Sequence, residues 1–115
     1  MTKEMTAQAA IQTVIDALEK RDIRATRAAM LDSNMRNLPR NMGKLVDVLK
    51  KKVPDKEKVQ LEAFKEDLII VLSPYQGEVA GELKNARPDI EQLLNWLRTA
   101  KRQVTAIELI AQRVQ

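Results

Sequence analysis

The chain has no cysteine and no histidine. The first absence excludes a disulfide framework and thiol chemistry. The second removes the commonest general base and the commonest transition-metal ligand. Ser33 and Ser73 therefore have no imidazole to activate them, and every lysine sits on a polar face or in a charged run. The expectation is a protein that is not an enzyme, needs no cofactor or metal and takes no small-molecule substrate. Aromatics are scarce too: Phe64, Tyr75 and Trp96 are the only ones. Three glycines and four prolines leave few places to turn the chain. No apolar run approaches the roughly 18 residues of a membrane span; the longest is residues 68–72. Residues 1–6 lack the apolar stretch of a secretory signal, so the expected location is cytoplasmic, away from any membrane.

What remains is aliphatic and helix-forming. The apolar fraction is 44%, carried by Ala, Leu, Ile, Val and Met. With Lys, Arg, Glu and Gln, these are mostly good helix formers. A length of 115 residues suits one domain spanning 1–115. The expected fold is all-α: a compact bundle of five to six helices with a long C-terminal helix.

Periodicity places the helices. In the first, running to about residue 20, Ala7, Ala10, Ile11, Val14, Ile15 and Leu18 form one face, with Thr2 or Thr6 as cap. Asp22 caps a second helix over 23–37, which Pro39 ends. A third carries Met42, Leu45, Val46, Leu49 and Val53 at amphipathic spacing and stops at Pro54, with Asp55 capping the next. The fourth spans about 56–72, with Val59, Leu61, Phe64 and Leu68 turned inward. Its polar face vanishes over 68–72, which predicts that its C-terminal half is enclosed by protein on all sides. Ser73-Pro74 reads as the cap and first position of a fifth helix to about residue 86, with Tyr75, Val79 and Leu83 on one stripe. Gly77 and Gly81, four apart, weaken that helix.

The C-terminal helix, 88–114, carries the longest pattern. Ile90, Leu93, Leu97, Ala100, Val104, Ile107, Ala111 and Val114 recur at alternating spacings of three and four. A helix of that span is about 39 Å long, against a radius of gyration near 13 Å for a domain of this size. The sequence therefore predicts that residues 90–97 anchor it and that its end overhangs the bundle. A partner protein or a second copy would meet Trp96, Leu97, Val104, Ile107, Ile110 and Val114. A homo-oligomer is expected.

Charge supplies the second candidate surface. The net charge is +4, but residues 20–52 hold ten basic against three acidic side chains, +7, while residues 54–115 hold nine against ten. Lys20, Arg24, Arg27, Arg36, Arg40, Lys44, Lys50, Lys51 and Lys52 form the candidate nucleic-acid-contacting set. No aromatic is interleaved for base stacking. The leading expectation is a non-enzymatic protein-interaction module, an adaptor, regulator or assembly subunit. The alternative is a small helical subunit that contacts RNA or DNA phosphates through the basic segment.

Overall fold

A computed structural model describes residues 6–114, which form seven helices and no strand. They are α1 Thr6–Glu19, α2 Ile23–Met30, α3 Ser33–Arg36, α4 Leu38–Leu49, α5 Asp55–Leu72, α6 Glu78–Leu83 and α7 Ile90–Val114. The all-α expectation holds, with more helices than the five to six expected. The extra one arises because residues 23–37 break in two. Asp32 leaves the helical region (φ −59°, ψ 144°) and its carboxylate accepts from the Asn34 amide, which restarts the chain as α3. Among the described residues no helix is long and apolar enough to cross a membrane.

The helix ends follow local chemistry. Arg21 adopts a left-handed conformation, φ 60°. Its amide donates to the Leu18 carbonyl and that of Asp22 to Ala17, the paired bonds of a Schellman stop. Asp22 then caps α2 by accepting from the Ala25 amide at 3.0 Å, as its sequence position predicts. Asp89 caps α7 in the same way, accepting from Gln92 at 3.1 Å. The expected Ser73 cap does not form. Ser73 ends α5 instead, and α6 begins only after Gly77. A Cβ at Gly77 would lie 2.6 Å from both Ser73 N and Ser73 O, so the turn closes only around glycine. Thr6 is the first residue of α1; Thr2 lies outside the described residues.

The long helix α7 is the centre of the bundle. Its buried residues, Leu93, Leu94, Leu97, Ala100, Val104, Ile107 and Ala111, are the stripe read from sequence. Cross-helix pairs give the register. Gln8–Glu108, Gln12–Lys101, Glu19–Arg98 and Arg21–Glu91 run α1 antiparallel to α7. Glu57–Arg113 and Asp67–Gln103 do the same for α5, and Lys50–Glu62 with Asp47–Lys65 lay α4 antiparallel to α5. Thus α1 and α5 flank α7, with α4 against both α5 and α7.

The predicted overhang does not exist. At 25 residues, α7 is about 37 Å long, inside the molecule's longest dimension of 45 Å. Ile107 is fully buried and Ala111 nearly so, and the Gln8–Glu108 and Glu57–Arg113 pairs lay α1 and α5 over the C-terminal half of α7.

The prediction for α5 also needs correcting. Leu68 and Leu72 are fully buried, but Ile69 and Ile70 are 45% and 56% exposed, and Val59 is 73% exposed. With α4 on one flank and α7 on the other, the outer face of α5 has no neighbour among the described residues. Val59, Ala63 and Ile70 lie on that face, spaced four and seven residues apart.

Candidate interaction surface

The six α7 residues expected to meet a partner do not form an accessible seam. Leu97, Val104 and Ile107 have no exposure at all. Trp96, Ile110 and Val114 are partly buried and pack against the same core. The stripe packs against the chain's own α1, α4 and α5; the exposed apolar residue of α7 is Leu109, off the stripe.

The nine basic residues separate by location and by partner. Lys20 and Arg24 are exposed at the corner between α1 and α2, and Lys51 and Lys52 at the turn after α4. Arg27 reaches across to the end of α6, where Nε and Nη2 donate to the Leu83 carbonyl at 2.9 and 2.6 Å. It satisfies a terminal helix carbonyl, a structural use of the charge. Lys50 pairs with Glu62 at 2.7 Å, and that hydrogen bond holds the Glu62 carboxyl below its ordinary range.

Arg36, Arg40 and Lys44 are brought together. They line a cleft of about 470 Å³ between α4 and α5. Arg40 and Lys44 are four residues apart on α4, about 6 Å along its axis, and Arg36 lies at the end of α3 just before them. Lys65 joins them from α5. It donates to Asp47 at 3.0 Å, and this hydrogen bond raises its pKa above the ordinary lysine value. Asp47 is the one carboxylate in the lining, against four cations. The floor is apolar: Pro39, Gly43, Ile69 and Pro74.

A smaller hollow of about 180 Å³ adjoins it, and Pro74 lines both. Met30, Leu31, Ala80 and Leu83 form its walls beside Tyr75. Leu31 is 46% and Tyr75 62% exposed, so Tyr75 is not on the buried stripe that its spacing from Val79 and Leu83 suggested. Lys84 Nζ donates to the Tyr75 carbonyl at 3.4 Å, and Arg27 also lines the hollow.

A third groove, about 530 Å³, runs between α1 and α7. Gln12–Lys101 at 2.5 Å and Glu19–Arg98 at 2.6 Å bridge it. Those bonds tie two core helices together, and the groove is a seam of the fold.

Sequence reasoning missed Lys65, Gly43, Ile69 and Pro74. The only signal within reach was the excess of apolar positions at 68–72, more than one buried face can absorb. No protein-family model matches the chain, and no curated protein or solved structure shows significant similarity to it.

Proposed function

We propose that the protein is a non-enzymatic protein-interaction module of the cytoplasm, and that its working face is the one around Pro74. The observation that carries this is the apolar surface there: Ile69 in the cleft and Leu31 and Tyr75 in the adjoining hollow are large, exposed and joined through Pro74. Contiguous exposed apolar groups with a polar rim mark association surfaces. The lack of histidine and cysteine supports the non-enzymatic half of the reading. Relocating the surface from α7 to this face keeps the module class and changes the residues that serve it.

The test is purification of the native complex with wild-type protein and with Tyr75→Ser and Ile69→Asp variants, after confirming that both melt like wild type. The reading expects a stoichiometric protein partner that is retained by wild type and lost by the variants. A partner indifferent to both substitutions contradicts it.

The second reading, contact with RNA or DNA phosphates, draws on Arg36, Arg40 and Lys44, with Lys65 added. It expects affinity for a generic oligonucleotide that falls steeply as salt rises. Absence of binding at low salt removes it.

A further inference from the structure

We infer that the α4–α5 cleft and the hollow beside it take one short acidic segment of a partner protein, its carboxylates on Arg36, Arg40 and Lys44 and one apolar side chain in the hollow. The inference rests on the protein-interaction reading and adds the chemistry of the segment that this face takes.

The cleft supplies the sign. Arg36, Arg40 and Lys44 line it and are exposed. Six ion pairs form among the described residues, and none of them uses these three cations. The fourth cation of the lining, Lys65, and its one carboxylate, Asp47, neutralise each other at 3.0 Å. Three uncompensated positive charges remain around one groove. Arginine-rich clusters recognise acidic motifs through such charges. A short flexible segment places its carboxylates on them without matching a helical pitch.

The hollow supplies the anchor. Pro74 lines both cavities, so they are contiguous. Met30, Leu31, Ala80 and Leu83 wall the hollow. Its two cations are held by backbone: Arg27 donates to the Leu83 carbonyl and Lys84 to that of Tyr75. An apolar side chain suits those walls. At about 180 Å³ the hollow is smaller than the roughly 300–1,000 Å³ of ordinary small-molecule pockets, which fits one anchoring side chain in place of a whole ligand.

The two cavities together favour a polypeptide over a nucleic-acid strand. Either would use the cations. A single strand also stacks successive bases on aromatic platforms, and Tyr75 is the one aromatic lining either cavity. A polypeptide carries carboxylates and an apolar side chain on one short stretch, so it fills both.

The experiment is fluorescence anisotropy of the full chain with four labelled probes. The first is a short peptide with a tract of glutamates and a leucine at each end, so that either chain direction presents an anchor. The second replaces every glutamate by glutamine, and the third replaces both leucines by serine. The fourth is a single-stranded RNA oligonucleotide. The chain is tested as wild type, with Arg36→Gln, Arg40→Gln and Lys44→Gln together, and with Leu31→Ser. A control with Lys20→Gln, Lys51→Gln and Lys52→Gln loses the same three charges away from the cleft. Every substituted position is exposed, and circular dichroism melting confirms that each variant folds. The first peptide is expected to bind about tenfold tighter than either altered peptide. The cleft triple should erase its advantage over the glutamine form, Leu31→Ser should erase its advantage over the serine form, and the control triple should cost less than the cleft triple. The proposal is overturned if the first peptide binds no tighter than its altered forms. It is overturned too if the cleft and control triples weaken it equally, which would reduce the effect to net charge. RNA binding that is lost in the cleft triple while the peptide is indifferent to it would make the cleft a phosphate site and overturn the proposal. A wild-type homodimer that the cleft triple dissociates, read by light scattering, would assign the cleft to a second copy instead. A native partner lost with Tyr75→Ser yet retained by the cleft triple would sink this inference while the protein-interaction reading stands.

Discussion

Ile107→Ala separates a core role for α7 from a docking role. Ile107 has no exposed surface. The substitution removes three carbons, worth about 2.4 kcal/mol at roughly 0.8 kcal/mol for each buried methylene. The cavity left behind adds to this, and measured losses for such changes fall at about 2–5 kcal/mol. Unfolding entropy of roughly 2.1 cal/mol/K per residue gives about 0.24 kcal/mol/K for 115 residues. A loss of about 3 kcal/mol then lowers the melting temperature by about 12 °C. Ile70→Ala is the matched control. It removes the same atoms from a side chain that is 56% exposed, and exposed substitutions stay within about 0.5 kcal/mol. Thermal melts followed by circular dichroism at several protein concentrations read both. If Ile107→Ala melts within a degree or two of wild type, or if the two variants lose equal stability, α7 is not the core helix described above. A melting temperature that rises with wild-type concentration would restore the oligomer reading of α7.

Three further outcomes follow from the same structure. Gly77→Ala should destabilise by about 1–3 kcal/mol, because its Cβ would press on Ser73 and Val71 backbone; Gly81→Ala, which meets nothing within 4 Å, should stabilise by about 0.5–1 kcal/mol. Paired denaturant titrations check both, and equal effects would refute the packing described for the α5–α6 turn. The lowered pKa of Glu62 means that the Lys50 bond favours the ionised form. Its contribution is present above the carboxyl's unfolded pKa and lost as pH falls through the folded one. Glu62→Gln should therefore flatten the acid limb of stability against pH, and an unchanged limb would deny the bond a role. For Lys65, raised by Asp47, the sign reverses: its contribution is present below the unfolded lysine pKa and fades as pH rises through the folded one. Asp47→Asn should remove that alkaline dependence in pH-scanned melts.

Much of the fold is legible where one face of a helix is apolar and the opposite face is polar. Ile11, Val14, Ile15 and Leu18 in α1, Met42, Val46 and Leu49 in α4, and the 3/4 stripe of α7 are all buried as their spacing indicates. Asp22 and Asp89 cap where a short acceptor side chain precedes a periodic run. Spacing fails where it must say which apolar positions acquire a neighbour. Residues 68–72 offer five apolar side chains, yet packing against α4, α6 and α7 buries only Leu68 and Leu72 fully. For the same reason the α7 stripe was readable as apolar but not as enclosed: its partners are set by the antiparallel register of α1 and α5, which no local pattern encodes. The basic set Arg36, Arg40 and Lys44 shows in sequence. Its opposite bank, Lys65, does not, because it arrives from a helix whose register against α4 is fixed only by packing.

The central claim is that a partner protein docks around the α4–α5 cleft and Pro74, and that α7 serves the core. Hydrogen–deuterium exchange on the chain, free and bound to its native partner, tests this directly. The account predicts new protection over residues 36–47 and 65–76, with exchange over residues 104–114 unchanged. Protection confined to 104–114, or absent from the cleft, would contradict it.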